Sequence, residues 1–224
     1  MTSFKHIETL IKKHPEIEVF RFFCFSFSNK VQDRVGPLSL DEKKLIECSI
    51  EYKKNNSTSF WEAFFTTCVK ENKTTPRILS EAIHHNKNNK YIYVLSKDVL
   101  DFLNCNQYEN LAINSEVILD SGEKKHIPML DFKIKSEGLN IALVHSVIES
   151  LSLKGVILNS GKSYHFIGDN LICKEQLTEL LAKFVLFHPI SDKAWAAHQL
   201  IEGSASLRVS KKYNLNPTFI TNVT

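Results

Sequence analysis

The sequence contains no pair of cysteines in a C-x-x-C arrangement, no apolar run near the length of a membrane-spanning helix, and no large excess of one charge. Its five cysteines are widely spaced and odd in number, so we expect neither a structural zinc cluster nor a disulfide framework. The apolar runs fall well short of the ~20 residues that cross a bilayer, and the N-terminal segment lacks the apolar stretch of a signal peptide. We therefore expect reduced thiols, a cytoplasmic location and no membrane partner.

The charge balance is mild for a chain of 224 residues. Lys and Arg number 28 and Asp and Glu number 25, which gives a formal net charge of +3. This balance excludes an acidic binding surface over the whole chain, and it is too small to indicate nucleic-acid binding by itself. With 43% hydrophobic residues, the composition is that of a globular protein. Cys24 lies in an apolar run and Cys173 follows Ile172, so both are expected to be buried thiols.

Hydrophobic periodicity predicts a mixture of helices and strands, hence the α+β class. An antiparallel or mixed sheet with helices on one face is the expected architecture. Ser191 is expected to cap the helix that begins at residue 192, and Gly203 to end it. The predicted strands are 18–28, 91–95, 115–120, 127–135, 155–159, 164–167, 205–210 and 217–223, and the predicted helices are 3–14, 40–54, 59–70, 76–84, 99–103, 139–153, 175–187 and 192–202.

A polar stretch at residues 104–110 predicts the boundary between two modules. Residues 1–110 would form a smaller N-terminal α/β module and residues 111–224 a second, more regular one. The two modules are expected to pack as one compact unit.

The strand MLDFKIK, residues 129–135, carries the first candidate functional residues. Asp131 is an acid among apolar neighbours, and Lys133 lies on the same face of the strand because side chains alternate with a period of two. Two interpretations are open: a surface ion pair, or an acid and an amine that belong to a binding site.

A second candidate segment is the glycine-bearing turn SGKSYHF at residues 160–166. Such a turn between two apolar strands can direct backbone N–H groups, the hydroxyls of Ser160 and Ser163, and the amine of Lys162 at one anion. The segment lacks the spacing of a P-loop, and no helix follows it directly. An ordinary hairpin with a basic tip remains the alternative, and His165 on the second strand is either structural or part of the site.

The third segment runs from Trp195 to Lys212. Arg208 lies between Leu207 and Val209 on a predicted strand, and a buried guanidinium needs a partner, for which a phosphate or a carboxylate is suited. Trp195 and His198 share one face of the preceding helix and are expected to pack in the core.

Taken in order, these segments resemble the catalytic module of the archaeo-eukaryotic primase superfamily, the primase–polymerases. IPMLDFKI is similar to the acid-bearing first strand, the turn at residues 160–165 to a hairpin of S-G-x-G-x-H type, and residues 195–210 with Pro217 to the last strand and its preceding helix. The resemblance covers residues 127–220. It implies an RRM-like sheet in the module at 111–224 and, in an active enzyme, Mg²⁺ or Mn²⁺ held by carboxylates.

The chain departs from that family pattern at two of three acidic positions. The first strand of the family carries two acids, where this sequence has Asp131 and then Lys133, and the last strand carries an aspartate, where Arg208 aligns. A two-metal nucleotidyltransferase needs several carboxylates to hold its cations. The resemblance therefore implies a degenerate primase-like protein with a single aspartate, and it suggests a mobile-element or antiviral setting.

Three functions follow as hypotheses, and enzyme activity is left open. In the first, the protein binds a nucleotide or a phosphorylated nucleic-acid end without templated synthesis and without a required metal, through six residues: Lys133, Ser160, Lys162, Ser163, His165 and Arg208. In the second, it is an active primase or nucleotidyltransferase with Asp131 as catalytic metal ligand and Mg²⁺ or Mn²⁺ as cofactor. In the third, it is a structural subunit of a larger complex, which an exposed aromatic patch on the helix at 59–70 would favour.

Several lysines flank the candidate segments, and their convergence on one face would form a local basic patch for single-stranded nucleic acid. These residues are Lys124, Lys125, Lys133, Lys135, Lys162, Lys211 and Lys212. A solvated lysine-rich surface is the alternative.

Overall fold

The apolar strands of the sequence form two antiparallel sheets. The computed structural model describes residues 3–25, 31, 35–56, 58–73, 75–84, 90–105, 110–210 and 216–224. The first sheet has the order β2-β1-β3-β4, and β8 also pairs with β3 beside β4. Its strands are β1 (Ile17–Cys24), β2 (Tyr91–Leu95), β3 (Leu111–Leu119), β4 (Lys124–His126) and β8 (Ser206–Arg208).

The second sheet has the order β5-β7-β6-β9, and every neighbouring pair is antiparallel. Gly155 and Gly168 face each other in the β6–β7 ladder, where a Cβ on Gly155 would stand 2.2 Å from the carbonyl oxygen of Ile167. A side chain at this point would therefore push the two strands apart. The strands of this sheet are β5 (Met129–Asp131), β6 (Gly155–Asn159), β7 (Tyr164–Gly168) and β9 (Thr218–Val223).

An apolar core joins the two sheets. Phe20, Phe22 and Leu207 of the first sheet lie in one cluster with Met129 and Leu158 of the second. A second cluster lies between the second sheet and its helices. The helices of this part of the chain are α1 (Ser3–Lys13), α5 (Val99–Asn104), α6 (Asn140–Ser150), α7 (Lys174–Val185) and α8 (Lys193–Glu202), with a 3₁₀ turn at Ser96–Asp98.

Residues Ser26–Asn88 form a compact unit of their own, and Met1–Phe25 with Asn89–Thr224 form the other. The described part of the smaller unit contains α2 (Leu40–Asn56), α3 (Phe60–Glu71) and α4 (Pro76–His84). Its apolar cluster includes Phe64 and Ile78, both fully buried. Helix α3 begins with a capping box between Ser59 and Glu62.

The structure confirms the predicted α+β class and its antiparallel pairing. The two compact units do not coincide with the expected modules at 1–110 and 111–224, because β1 and β2 pair in the same sheet as β3. Two packed sheets replace the single expected sheet. The pairing of β1 with β3 has a register shift between Phe20 and Phe22.

Four local predictions need correction. The strand expected at 127–135 is limited to Met129–Asp131. Phe132 still donates its N–H to the Tyr164 carbonyl oxygen of β7, but its own pairing is an isolated bridge to Ser191. The strand expected at 115–120 begins at Leu111. Strand β4 was not predicted, since its sequence Lys-Lys-His is polar. The cap of α8 is Asp192 and not Ser191, because the Asp192 carboxylate accepts the Ala194 and Trp195 N–H groups.

All five cysteines are free thiols, but Cys24 is exposed and Cys173 is partly exposed, so the prediction that both are buried was wrong. Cys24 is the last residue of β1, and the buried part of the strand ends before it, at Phe23. Among the described residues, no helix is both long and apolar enough to cross a membrane.

Candidate functional site

Asp131 and His165 are direct partners across two strands of the second sheet. The β5–β7 ladder places them opposite each other, so both side chains lie on the same face. Nε2 of His165 lies 3.6 Å from Oδ1 of Asp131. The imidazole is buried, whereas a quarter of the Asp131 side chain is exposed. Solvent or a ligand can thus reach the Asp131 carboxylate, and the buried His165 imidazole lies on its inner side.

Arg208 of the first sheet reaches this pair from β8. Its Nη1 donates to the Ser210 carbonyl oxygen and its Nη2 donates to the Ser160 carbonyl oxygen, each over 2.5 Å. Burial lowers the pKa of Arg208, and the negative charge of Asp131 opposes that shift. The guanidinium remains charged, because its ordinary pKa lies far above neutrality. Arg208 thus has hydrogen-bond partners, as expected for a buried guanidinium, and they are the carbonyl oxygens of Ser210 and Ser160.

The turn between β6 and β7 lies beside Arg208. The hydroxyls of Ser160 and Ser163 are 3.0 Å apart, and the Ser160 N–H donates to the Ser163 carbonyl oxygen over 2.9 Å. The Gly161 N–H donates to Oδ1 of Asn159 over 2.7 Å, and Gly161 has a φ of +103° that favours glycine. Two of the turn N–H groups that were expected to bind an anion are therefore occupied by the turn itself.

The two lysines predicted for the site lie at its exposed margin. Lys133 is exposed just beyond the end of β5, and its backbone N–H donates to the Ile190 carbonyl oxygen over 2.8 Å. Lys162 is exposed at the tip of the turn, and its carbonyl oxygen accepts the Ser136 N–H over 3.2 Å. The structure thus brings together Asp131, Ser160, Ser163, His165 and Arg208, and it does not bury either lysine among them.

The donors at this site do not fit a two-metal centre. They comprise one carboxylate and one imidazole, with a guanidinium beside the carboxylate. Two divalent cations would need several carboxylates, and a neighbouring fixed positive charge repels them. Across the described part of the chain, no group of three or more His, Cys, Asp or Glu side chains could hold a metal ion.

Two lysines of the predicted patch, Lys124 and Lys125, lie away from this site. Lys124 pairs with Ile118 of β3, whereas Arg208 pairs with Ala112, six positions away on the same strand. That separation is roughly 20 Å, at ~3.3 Å per strand residue. Lys124 and Lys125 also form ion pairs, with Glu116 and Glu123. Lys211 and Lys212 lie outside the described residues.

Asp192 is a neighbour of the site through its backbone and caps α8 through its side chain. Its backbone N–H donates to the Asp131 carbonyl oxygen over 3.0 Å, while its carboxylate caps α8. Helix α8 in turn packs Trp195 into the core, and Trp195 Nε1 donates to the Ser206 carbonyl oxygen over 3.0 Å. The predicted core role of Trp195 is confirmed. An aspartate as the first residue of the predicted helix was the available signal for the cap.

The comparisons with known proteins agree with this arrangement. A family model described as AEP-like, archaeo-eukaryotic primase 1D-like, matches residues 94–221, which is more than half of the chain. The matched span contains Asp131, His165 and Arg208, and it extends further toward the N-terminus than the motifs at 127–220. Searches of curated proteins and of solved structures find no match.

Proposed function

The chain belongs to the AEP-like, archaeo-eukaryotic primase 1D-like family, and on this premise we propose that it binds a nucleotide or a phosphorylated nucleic-acid end without templated synthesis. The proposed site comprises Asp131, His165 and Arg208 with the turn at 160–163. The observation that carries the proposal is the guanidinium of Arg208, held between the turn and Asp131.

Arg208 has the chemistry of a phosphate ligand at this position. A guanidinium presents its N–H donors in a planar fork, which matches the oxygens of a phosphate. Its partly buried setting strengthens a charge-assisted hydrogen bond relative to one in water. Asp131 would orient the guanidinium in place of holding a divalent ion. Ser163 and the exposed amines of Lys133 and Lys162 would complete the contacts.

Primase-like enzymes use divalent metals when they are active, but the donor set of this site does not fit such ions. A phosphate that meets Arg208 needs no bridging cation, because the guanidinium supplies the positive charge. Binding would therefore be independent of Mg²⁺ and Mn²⁺. The resemblance further suggests a mobile-element or antiviral system as the setting of this binding.

Calorimetry with a nucleoside triphosphate in the presence of EDTA tests the proposal. We expect micromolar binding by the full chain, since two or three charge-assisted hydrogen bonds of about 1.5–3 kcal/mol each support such affinity. Arg208→Ala should weaken binding about tenfold or more. Arg208→Lys is the matched control, because it keeps the positive charge without the planar fork. Its affinity for the nucleotide should lie between those of the parent chain and Arg208→Ala. Thermal unfolding of each variant reports whether loss of the Ser160 contact has altered the fold.

Binding that requires a divalent ion, or an affinity unchanged in a folded Arg208→Ala variant, would contradict the proposal. The alternative of an active primase is tested with labelled nucleotides, a single-stranded template and Mn²⁺. Template-dependent product that disappears in Asp131→Ala would establish that alternative.

A structural role in a larger complex is a second candidate, favoured by the surface of α3. Phe64 of this helix is buried, but Phe65 is 42% exposed and Val69, one turn further on the same side, is 80% exposed. Trp61 stacks on Phe65 with ring centroids 5.9 Å apart. An exposed apolar stripe of this kind is typical of a protein-binding surface. Another protein subunit would be its partner.

A further inference from the structure

Strand β2 is the outermost strand of the first sheet, and its edge is unprotected. It pairs with β1 over its whole length, Tyr91–Leu95, and no described strand pairs with its other side. Its sequence, Tyr-Ile-Tyr-Val-Leu, contains neither a charged residue nor a proline. The pairs with β1 follow in unbroken register, so no bulge turns the strand away from a partner. Proteins usually protect an edge of this kind, because it pairs readily with another strand.

The other described edge strands carry protective features. Strands β4, β5 and β8 are only three residues long, and each contains a charged residue. In β9, the pairing with β6 shifts register between Ile157 and Leu158, so that Ile220 is an extra residue opposite no partner on β6. Such a bulge bends the strand and interrupts its free edge. In the described part of the chain, β2 is therefore the edge at which pairing with a further strand is least hindered.

The alternation of hydrogen bonds along β1 shows which backbone groups of β2 point outward. The Phe25 N–H donates to the Asn110 carbonyl oxygen over 3.0 Å, so every second residue of β1, counted back from Phe25, bonds toward β3. Phe22 belongs to the other set and bonds toward β2, where its direct partner is Ile92. The residues of β2 whose N–H and C=O groups consequently point away from β1 are Tyr91, Tyr93 and Leu95.

The side chains of these three outward-bonding residues share one face of β2. On this face Tyr93 is 59% exposed and Leu95 is 42% exposed. On the opposite face Ile92 and Val94 pack in the core of the larger unit. The free backbone groups and the exposed ring therefore lie on the same strand, and an edge with large exposed apolar side chains is an expected site of strand pairing.

We propose that β2 pairs with β2 of a second copy of the chain, antiparallel and about a two-fold axis at Tyr93. In this register Tyr93 lies opposite Tyr93 of the second copy, and Tyr91 lies opposite Leu95 of the second copy. The outward groups of each copy then meet, and each pair can exchange both of its hydrogen bonds. An axis at Ile92 or Val94 would instead place inward-bonded groups opposite each other. The two copies thus satisfy each other's edge without a further strand.

The side chains of β2 also suit a second copy. A two-fold axis normal to the sheet keeps the same face of both copies on the same side, so the core faces continue each other and the two Tyr93 rings meet near the axis. No charged residue of β2 lies opposite its own copy. At each end, Lys90 approaches the Ser96–Asp98 turn of the second copy, which carries one charge of each sign. This pairing does not depend on the proposed function.

Sedimentation velocity of the full chain tests the pairing. The expected dimer is weak, because a single short edge is small beside the roughly 1,200 Å² or more of a stable interface. Concentrations from about 5 to 500 µM bracket a dissociation constant on the order of 100 µM, and the sedimentation coefficient should rise from monomer toward dimer across them. Tyr93→Lys should weaken association about tenfold or more, because it removes the ring pair and places two like charges at the axis. Tyr93→Phe is the matched control and should associate like the parent chain, since it keeps the ring.

Amide hydrogen exchange locates the contact within the chain. At high concentration the amides of Tyr91 and Tyr93 should exchange several-fold more slowly, whereas those of Ile92 and Val94, which already bond to β1, should not change. Phe65→Lys, on the exposed stripe of α3, should leave the association intact. Tyr93 is exposed, so its replacement is not expected to affect folding, and thermal unfolding checks this for each variant.

A chain that stays monomeric to about 500 µM would overturn the proposal. So would a dimer that persists in a folded Tyr93→Lys variant, or one that forms while the Tyr91 and Tyr93 amides exchange at an unchanged rate. Association lost in Phe65→Lys but kept in Tyr93→Lys would place the contact at α3 and contradict the pairing of β2. If Tyr93→Lys does not fold, the exchange rates of the parent chain still decide.

Discussion

Arg208 has a structural role in addition to the phosphate contact that we propose for it. Its two bonds to the carbonyl oxygens of Ser210 and Ser160 fasten the β6–β7 turn to the end of β8. An unpaired guanidinium would be costly at this degree of burial, and the carbonyls and Asp131 offset that cost. The chain could bind a phosphate here without a large rearrangement, because the cation is already oriented.

His6 gives a residue-scale prediction for the pH dependence of stability. It lies on α1 and is 3% exposed, and burial lowers its pKa from 6.5 to about 4, with Asp169 opposing that shift. The unfolded chain, with a pKa near 6.5, binds the proton more readily than the folded chain. The stabilisation is therefore complete above pH 6.5 and is lost as the pH falls toward 4.

When the pH is lowered from 7 to 5, protonation of His6 in the unfolded chain should reduce the free energy of unfolding by about 2 kcal/mol. Urea denaturation at both pH values measures it, and His6→Leu should reduce the difference by that amount. Most carboxylates stay ionised in this range, so they contribute little. An equal pH dependence in the variant and the parent chain would show that His6 does not titrate as the structure implies.

The start of α8 gives a prediction at the scale of an element. The Asp192 carboxylate accepts two N–H groups of the first turn, so Asp192→Ala should destabilise the protein by about 1 kcal/mol. Asp192→Asn retains an acceptor and should cost less. Ser191→Ala is the matched control: the Ser191 hydroxyl is buried with no hydrogen-bond partner among the described residues, so its removal should change stability by no more than about 0.5 kcal/mol. Chemical denaturation distinguishes the three, and a larger loss in Ser191→Ala than in Asp192→Ala would refute this assignment of the cap.

Elements with strong periodicity could be predicted from the sequence, and elements defined by a distant partner could not. Helix α7 and strand β6 are found close to their predicted bounds, because their apolar faces alone define them. Strand β4 has a polar sequence and exists because β3 lies beside it. Strand β5 is shorter than its pattern suggested, because the segment before α8 takes over the pairing of Phe132.

The candidate site was predictable as a list of residues but not as a set of contacts. Asp131 and His165 stood out because polar groups interrupt apolar strands, and the ladder places them together. The pairing of Arg208 with the Ser160 carbonyl joins residues 48 positions apart and has no local signal.

At the scale of the whole molecule, two strands that are neighbours in the first sheet are far apart in the chain. Strands β1 and β2 are antiparallel neighbours, and Phe23 is the direct partner of Tyr91. The end of β1 and the start of β2 therefore lie side by side, although 63 residues between them, Ser26–Asn88, form the other compact unit. That unit is an insertion into a hairpin of the larger unit, and the family match at 94–221 does not include it.

Removal of the insertion should leave the larger unit folded. A chain in which residues 26–88 are replaced by a short Asn-Gly turn would close the β1–β2 hairpin directly, since antiparallel neighbours need only about two to five connecting residues. Every described strand of both sheets and every residue of the candidate site lies in the remaining chain. We expect cooperative urea unfolding and nucleotide binding within a few-fold of the full chain. Arg208→Ala in the shortened chain is the control and should weaken binding about tenfold or more, as in the full chain. A shortened chain that folds but no longer binds the nucleotide would show that residues 26–88 contribute to the site. One that fails to fold would show that the hairpin and its sheet depend on the insertion.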